Sequence, residues 1–340
     1  MIEADMLPGA SGADAFAASG MFGCMVPIQA RDTIIDDTRA WRADTVGDAT
    51  SWVWQLPDDW LASLTDLNRE QRVPVTEIRL RESIRNTLRE PLQPVCDSLE
   101  SGRGFVILDR LRVERDSLVQ VLESYWLIGQ SLGQPFEQNI EGTLLYDVRD
   151  TGRDVAQGAR FSVTNAESSF HTDSAFSQRM PDYVGLLCLK TAKSGGRSQL
   201  VSAYSLHNAL LANHPDVLEI LSQPFLFDRR GQFNEGELSY GSYPILCWDD
   251  HELTARYLHY YIQVGHESAK QPLTVDQRRA LDVLQDLLDG DEFRVQFDLE
   301  PGQLLFTNNH WILHNRTSFE DHPDPQDRRH FVRLWLVRTS

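Results

Sequence analysis

A histidine and an aspartate two positions apart are the side chains best placed for chemistry in this sequence. His171 opens the string HTDSAF, and Asp173 follows it with one threonine between them. Alternate residues of a strand point to the same side, so the two side chains of a single strand can bind one ion. A further histidine, His314, lies far downstream in the string NNHWILHNRTSFED. Two imidazoles and one carboxylate suit a divalent iron ion that keeps open coordination positions for oxygen chemistry.

The distal histidine has a neighbour that could take its place. His310 lies four residues before His314, so the two share a face of either a helix or a strand. A helical pair at this spacing is typical of zinc proteases, but those need a glutamate directly after the first histidine, where this chain has Trp311. The flanking residues favour a strand, in which His310 is a satisfied polar residue near the mouth of a barrel. On the residues alone, both histidines remain candidates, and a zinc hydrolase remains a rival.

The overall charge narrows the range of partners. Of 340 residues, 50 are acidic and 32 are Lys or Arg, which gives a formal net charge of -18 and a pI of about 4.9. Such a surface repels phosphate backbones and anionic lipids, so we expect a small-molecule substrate, no nucleic acid and no membrane. No apolar run is long enough to span a bilayer, and the first twenty residues lack the basic start of a secretory signal. The sequence therefore predicts a cytoplasmic protein, and it is compatible with a homo-oligomer.

The order of the predicted elements indicates the fold class. Residues 1–25 are rich in Gly and Ala without a periodic pattern, so we expect a flexible N-terminus there. Residues 26–340 contain no Pro- or Ser-rich linker, and we expect one domain. Many short strands with a few covering helices predict a mainly β fold with flanking helices, built on a barrel or jelly roll. The predicted helices include 76–92, 116–133, 204–215 and 273–290, with Thr274 as an N-cap, and the predicted strands include 51–56, 104–111, 159–165 and 330–337.

Four motifs in a fixed order carry a resemblance to a known family. They are HTD at 171–173, GGRS at 195–198, LHNRTSFED at 313–321 and RRHFVRLWL at 328–336. In this order they resemble the taurine dioxygenase/TfdA family of Fe(II)- and 2-oxoglutarate-dependent oxygenases, to which clavaminate synthase is related. The resemblance runs from about residue 104 to 338. It implies a cupin-like jelly-roll core, a double-stranded β-helix, over that range, with the preceding residues packed on it.

The same resemblance implies a set of iron ligands. By the family pattern, His171 and Asp173 are the proximal ligands, and His314, rather than His310, is the distal one. The implied cofactors are Fe(II), 2-oxoglutarate and O2, and the implied products are an oxidised substrate, succinate and CO2. Halogenating relatives free a coordination position by lacking the carboxylate, so the presence of Asp173 favours an oxygenase.

Two arginines and one serine match the positions that bind 2-oxoglutarate in this family. Arg329 matches the arginine that holds the far carboxylate, and Ser198 matches a hydroxyl that assists it. A guanidinium fork suits a bidentate grip on a carboxylate, and a hydroxyl adds a third hydrogen bond. Arg333 follows four residues later, at a position that contacts an anionic group of the prime substrate in some relatives, so it is a candidate for binding either ligand. The alternative is that Arg329 and Arg333, which lie close to Arg328 in the sequence, form salt bridges on the outer face of a strand.

The residues around the first histidine bear on the prime substrate. Asn165 and Glu167 lie where sulfonate-using relatives place polar substrate-binding residues, and Phe176 follows the HTD motif. Glu167 disfavours a sulfonate and suits an amine or guanidinium. The sequence thus predicts hydroxylation of a small polar metabolite, such as an amino acid or amine-bearing compound. Desaturation or cyclisation of a natural-product intermediate, or a jelly-roll binding protein without catalysis, are the alternatives. The aromatic residues between 225 and 262 are candidates for a lid, for part of the core or for a subunit interface.

Overall fold

The computed structural model describes residues 32–69, 73–152, 161–249 and 252–339. The predicted flexible segment 1–25 therefore lies outside the described residues. The fold is a mixture of helices and sheets with many strands. Helices and strands occupy similar shares of the described chain, so the expectation of a mainly β protein underestimated the helices, most of all before residue 133.

Four helices lie in the N-terminal third of the described chain, and four interrupt the strands that follow. They are α1 Asp58–Arg69, α2 Glu82–Arg89, α3 Gln93–Glu100, α4 Leu118–Leu132, α5 Ala203–Asn213, α6 Pro215–Leu221, α7 His259–Ser268 and α8 Val275–Asp289. Thr274 caps α8 as predicted, because its hydroxyl accepts a hydrogen bond from Gln277 N and the Gln277 side chain accepts one from Thr274 N. The helix predicted over 76–92 is shorter, since 3₁₀ turns occupy Val75–Glu77 and Glu90–Leu92.

Sixteen strands form five sheets among the described residues. They are β1 Val53–Gln55, β2 Phe105–Asp109, β3 Gln134–Phe136, β4 Leu145–Val148, β5 Tyr183–Lys190, β6 Ser194–Gly195, β7 Ser198–Ser202, β8 Pro224–Asp228, β9 Tyr240–Pro244, β10 Leu246–Asp249, β11 Glu252–Ala255, β12 Arg294–Phe297, β13 Leu304–Asn308, β14 Ile312–Arg316, β15 Phe319–Glu320 and β16 His330–Val337. The strand predicted over 159–165 is instead a 3₁₀ turn at Phe161–Val163 in its described part. Ser, Thr and Asn around that turn favour turns over strands.

One large sheet and one small sheet build the frame. The large sheet has seven strands in the order β1-β2-β13-β5-β16-β3, with β4 also paired to β16, and the small sheet has the order β12-β7-β14. Three further pairs are β10-β11, β15-β6 and β8-β9. Because β1 pairs in parallel with β2, the residues before 104 are joined to the large sheet. None of the described helices is both long and apolar enough to cross a bilayer.

The large sheet is covered on both faces, and strand β16 shows how its sequence achieves this. Val332, Leu334 and Leu336 belong to a core formed with helices α1 to α4. Phe331 belongs to the other core, which contains residues of the small sheet. Since successive strand residues face opposite sides, Arg333 and Trp335 share the side of Phe331. Strand β16 therefore presents polar side chains to the space between the sheets.

Candidate functional site

The two predicted histidine ligands are neighbours because their backbones pair. His171 N donates a hydrogen bond to His314 O at 3.0 Å, and His314 N donates to His171 O at 2.9 Å. This exchange of both hydrogen bonds defines an antiparallel pair whose side chains lie on one face. His314 is part of β14, which also pairs with β7, so the small sheet fixes its position. The centroids of the two imidazole rings lie 4.3 Å apart.

Asp173 reaches the histidines from a turn, not from the predicted strand. Only His171 makes bridges of the strand type, and the turn that begins at Asp173 contains Ser174 with a φ of 58°. Asn309 holds this turn, because its Oδ1 accepts from Asp173 N at 2.8 Å and its Nδ2 donates to Asp173 O at 3.0 Å. The two side chains nevertheless converge as expected. His171 Nε2 lies 3.8 Å from Asp173 Oδ1, and His314 Nε2 lies 4.0 Å from Oδ2.

The three side chains form a cluster with the donor set of a metal site. One ligand atom from each of His171, Asp173 and His314 lies within 4.8 Å of the other two. The Nδ1 atom of His171 lies 2.9 Å from the backbone O of Ser169, which leaves Nε2 for the cluster. Burial, with repulsion from His171, lowers the pKa of His314 to about 3, and burial also lowers the pKa of His171. Both imidazoles are therefore neutral at pH 7, the form that binds a metal.

The carboxylate of Asp173 is held by two donors from strand β16. Trp335 Nε1 donates to Oδ2 at 2.8 Å, and Arg333 Nη1 lies 3.0 and 3.2 Å from Oδ1 and Oδ2. Arg333 is fixed in turn by Gln138, whose Oε1 accepts from Arg333 Nε at 2.7 Å. Burial raises the pKa of Asp173, but the positive charge of Arg333, together with the hydrogen bond from Trp335, favours the ionised form, and the pKa lies below its usual value. Two neutral imidazoles and one ionised carboxylate fit a non-heme iron that keeps open positions.

His310 lies outside this cluster. Its Nε2 is 2.7 Å from Oδ1 of Asp182, and its backbone N donates to Asn308 Oδ1 at 3.0 Å. Asp182 also accepts a hydrogen bond from the backbone N of Arg338 at 2.7 Å. These contacts fit His310 as a satisfied polar residue, and they do not support the rival zinc site, which would need His310 beside His314.

Two cavities meet at His171 and Arg333, which line both of them. We name the first the Phe176 cavity. It holds about 670 Å³ of space, part of it open to solvent, and its wall includes Gln138, Asp173, Phe176, Arg230, Tyr261 and Trp335. We name the second the Arg329 cavity. It holds about 730 Å³, and its wall includes Ser198, Leu200, Thr307, His314, Arg316 and Arg329. Both figures include space that is open to solvent.

Arg329 supplies a buried cation to the second cavity. The residue is only 5% exposed, and its Nη1 atom has no hydrogen-bond partner in the described structure. Its guanidinium carbon lies 4.0 Å from the ring centroid of Phe331. Burial, with repulsion from Arg316, lowers the pKa of Arg329 to about 9, so the side chain stays charged at pH 7. Because an unpaired buried charge is costly, the Arg329 cavity favours an anion.

One glycine of the GGRS motif lies beside Arg329, and the predicted hydroxyl of Ser198 lines the Arg329 cavity. Gly196 has a φ of 74°, and a Cβ atom at this position would lie 3.2 Å from Arg329 Nε. A glycine therefore gives the arginine room. Ser198 lines the Arg329 cavity, as does Thr307, whose Oγ1 is buried and has no hydrogen-bond partner among the described residues.

The three predicted substrate residues are placed differently. Phe176 lines the cavity named after it, with its ring centroid 6.2 Å from that of Tyr261. Asn165 and Glu167 are exposed and line neither cavity. Glu167 Oε1 accepts a hydrogen bond from Asn315 Nδ2 at 3.1 Å. The structure thus places Phe176 in a cavity wall beside the cluster of His171, Asp173 and His314, which we call the metal-type cluster. It places neither Asn165 nor Glu167 there.

A comparison with known families shows the family to which this chain belongs. The sequence profile of "Taurine catabolism dioxygenase TauD, TfdA family" matches residues 74–335. The chain belongs to this family. It is an oxygenase that depends on iron and 2-oxoglutarate, as the motifs and the His-Asp-His cluster indicated.

Curated relatives of this TauD/TfdA-family oxygenase carry names that refer to different small molecules. FR-33289 synthase of Streptomyces rubellomurinus is 26% identical over 307 residues, which cover 87% of this chain and 88% of the relative. L-asparagine oxygenase of Streptomyces coelicolor is 29% identical and shares 61% of this chain and 57% of its own length. Human gamma-butyrobetaine dioxygenase is 26% identical over 47% of this chain and 42% of its own length.

Solved structures of similar fold contain the expected cofactors. Asparagine oxygenase in complex with Fe(II), 3-hydroxyasparagine and succinate has a TM-score of 0.63 at 18% identity, covering 84% of this chain and 93% of that one. The non-heme iron oxygenase OrfP in complex with Fe and alpha-ketoglutaric acid has a TM-score of 0.61 at 17% identity, covering 84% and 94%. At this level of identity the likeness shows the fold.

Five residues that surround the site were not found from the sequence of this TauD/TfdA-family oxygenase. They are Gln138, Arg230, Thr307, Asn309 and Trp335. Two of them lie on strands: Trp335 follows Arg333 at the strand period within the predicted strand 330–337, which was a usable signal, and Thr307 lies on β13. The other three lie outside the strands, and no local pattern places a loop residue over a distant site.

Proposed function

We propose that this oxygenase hydroxylates a small polar metabolite, with iron held by His171, Asp173 and His314. The observation that carries the proposal is the position of the three side chains where two cavities meet. Iron bound there would face a co-substrate in one cavity and a prime substrate in the other.

The residues of the Arg329 cavity support 2-oxoglutarate as its occupant. Arg329 would bind the far carboxylate through its guanidinium fork, and Ser198 would donate one hydrogen bond to the same group. The keto-acid end would then point toward His314, which lines the same cavity. Arg333 lines both cavities, and its contact with Asp173 supports a role in holding that iron ligand.

When iron and 2-oxoglutarate are bound, they supply the oxidising chemistry that the side chains cannot supply themselves. The overall reaction would place one oxygen atom of O2 in the substrate and the other in succinate, with loss of CO2 from the keto acid. The chain contributes position and exclusion of water. His171 and Asp173 fix one side of the metal position, and the walls of the Phe176 cavity orient the C–H bond that reacts.

The architecture supports a jelly-roll core within one domain of residues 26–340. The large and small sheets enclose a shared apolar core, and the metal-type cluster lies between them. Strand β1 joins the large sheet beside β2, and helices α1 to α4 pack on the outer face of this sheet. This arrangement supports an N-terminal extension that stabilises the core.

An amino acid or another amine-bearing metabolite is the proposed class of prime substrate. L-asparagine oxygenase and gamma-butyrobetaine dioxygenase are relatives whose names contain such compounds. The wall of the Phe176 cavity includes the polar side chains of Gln138 and Arg230, which support a small, charged substrate. Because Glu167 lies outside this wall, we propose that other residues bind the polar groups of the substrate.

The proposed iron ligands can be tested by metal content. We expect His171→Ala and Asp173→Ala to lose Fe(II) and substrate-dependent succinate formation, because each change removes one of three protein ligands. His310→Gln is the matched control, and it should keep its iron because its ring contacts Asp182 instead. Full iron content in either of the first two variants, or loss of iron in the control alone, would contradict the assignment.

A further inference from the structure

A cation from a hairpin loop faces the cavity beside the metal-type cluster. Arg230 lies just after strand β8, with a φ of 50°. Its backbone N donates to Asp228 Oδ1 at 2.9 Å, which stabilises the turn that carries it. Its side chain is 17% exposed and lines the Phe176 cavity together with His171 and Asp173. The hairpin therefore brings a positive charge to the proposed substrate cavity.

Two tyrosine rings lie next to the guanidinium group of Arg230. The guanidinium carbon of Arg230 lies 5.5 Å from the ring centroids of both Tyr260 and Tyr261. Tyr261 extends the aromatic wall to Phe176, whose ring centroid is 6.2 Å away. Aromatic rings favour a nearby cation and displace water from around it. With less water, the attraction between the guanidinium and an anion becomes stronger.

Among the described residues of the cavity wall, no carboxylate is available to bind an amine. Asp173 is the single carboxylate among the described residues that line the Phe176 cavity, and it is committed to the metal-type cluster. Arg333 is committed to Asp173, since its Nη1 contacts both carboxylate oxygens. Asp228 lies behind Arg230, with Oδ1 3.9 Å from Nε, and is not part of the wall. Arg230 is thus the charged group on this wall that is not engaged at the metal position.

We propose that Arg230 binds an anionic group of the prime substrate, namely a carboxylate or a tetrahedral oxyanion such as a phosphonate. The guanidinium fork would bind two oxygens of this group and so set how far the reacting carbon lies from the metal position. The inference rests on the proposed function, because it assigns the Phe176 cavity to the prime substrate. An amino acid fits it through its carboxylate, while its amine needs a different partner.

The test uses simple probes on the intact enzyme. Wild-type protein is loaded anaerobically with Fe(II) and 2-oxoglutarate, and its visible absorption band is followed during titration with propylphosphonate, butyrate or n-butylamine. We expect saturable band shifts with at least one of the two anions and none with the amine. Arg230→Gln should weaken the anion's binding by about tenfold or more, because a charge-assisted fork is lost. Arg230→Lys should lie between, since it keeps the charge without the fork.

Arg229→Gln is the matched control from the same turn. Arg229 donates to Leu238 O at 3.2 Å, lies 3.0 Å from Glu237 Oε2, and does not line the Phe176 cavity. This variant should bind the anions as the wild type does. A difference between the two anions in the wild type identifies which oxyanion geometry the site takes.

Several outcomes would overturn the role of Arg230. They are equal anion binding by wild type and Arg230→Gln, equal weakening in Arg229→Gln, and no anion binding by wild type above the level of butylamine. If Arg230→Gln does not form the visible band, the comparison between wild type and Arg230→Lys decides, and equal binding by those two counts against the fork. Failure of the proposed function is a separate result, since then the wild type itself forms no band with Fe(II) and 2-oxoglutarate.

Discussion

The indole Nε1 of Trp335 donates a hydrogen bond of 2.8 Å to Oδ2 of Asp173. The two residues come from different structural elements, since Trp335 lies on β16 and Asp173 lies in the turn after His171. Strand β16 also provides Arg333 two residues earlier on the same face. One strand of the large sheet therefore orients the carboxylate of the proposed iron site.

Removal of this indole donor should weaken metal binding. In Trp335→Phe the carboxylate of Asp173 loses one hydrogen bond, and we expect the affinity for Fe(II) to fall about 10- to 100-fold, as for other residues that orient metal ligands. Metal affinity can be measured anaerobically by titration of the metal-free protein with Fe(II) or Co(II). The fold should persist, because a phenyl ring can keep the stacking on Phe136, whose centroid lies 6.5 Å from Trp335.

Trp54→Phe is the control for the loss of an indole N–H. Trp54 lies on β1, and its Nε1 is buried without a hydrogen-bond partner in the described structure. Its replacement should leave metal affinity unchanged. If Trp335→Phe binds the metal as tightly as the wild type does, the hydrogen bond to Asp173 has no role in orienting the ligand.

Arg329 and its neighbour Arg328 allow a direct test of the co-substrate site. Arg329 is buried at the Arg329 cavity, whereas Arg328 is exposed. We expect Arg329→Met to raise the KM for 2-oxoglutarate on the order of 10- to 100-fold, from the loss of charge-assisted hydrogen bonds. Arg328→Met should leave this KM unchanged. A normal 2-oxoglutarate requirement in Arg329→Met would place the anchor elsewhere.

The same buried cation should also be visible in protein stability. Without co-substrate, the guanidinium of Arg329 is buried with one nitrogen unpaired, which costs free energy. Addition of 2-oxoglutarate and a metal ion to the wild type should therefore raise its Tm, and the rise should increase with the concentration of 2-oxoglutarate relative to its Kd. In Arg329→Met the rise in Tm at the same ligand concentration should be much smaller. An equal rise in both proteins would contradict the pairing of this arginine with 2-oxoglutarate.

Local patterns were enough to predict many elements of this fold. The apolar alternation over 330–337 predicted a strand that the structure gives as His330–Val337. Thr274 predicted the start of α8. Both depend on neighbours in the sequence, namely the period of a strand face and the hydroxyl of a helix cap. The spacing of His171 and Asp173 likewise suggested one ion before any long-range contact was known.

Long-range contacts account for what the sequence did not show. Asp173 lies in a turn because Asn309, distant in the sequence, bonds both its N and its O. His310 and His314 could be separated only by the family motifs, since the pairing of His314 with His171 joins remote segments. Arg230 sits in a turn whose position over the cavity depends on the packing of a whole hairpin. Neither strand period nor helix period carries information of this kind.

The two hydroxyls of the Arg329 cavity should differ in their effects on stability and binding. Thr307 Oγ1 is buried and unpaired in the described structure, so Thr307→Val removes a polar group that lacks a partner. We expect the stability of the protein without ligand to stay equal or to rise by up to about 1 kcal/mol. Ser198→Ala should instead raise the KM for 2-oxoglutarate several-fold. A stability loss above 1 kcal/mol in Thr307→Val would show that its hydroxyl has a structural partner.

The carboxyl of Asp182 should make stability depend on pH. Burial raises its pKa, but hydrogen bonds from His310 and from the backbone of Arg338, with the charges of both side chains, outweigh burial and lower the pKa below its usual value. A lowered pKa in the folded state stabilises the protein at pH values above the unfolded value of about 3.9. This stabilisation is lost as the pH falls through the lower, folded pKa. We therefore expect Asp182→Asn to be less stable than the wild type at pH 7 by about 1–3 kcal/mol.

The difference between the two proteins should shrink on acidification, because the wild type then loses the same contribution. Denaturant unfolding at pH 7, 5 and 3 measures the difference at each pH. Asp44→Asn, at an exposed turn, serves as the control, and its difference from the wild type should stay small throughout. A gap between wild type and Asp182→Asn that stays constant from pH 7 to pH 3 would mean that the ionised carboxylate does not stabilise the contact with His310 and Arg338.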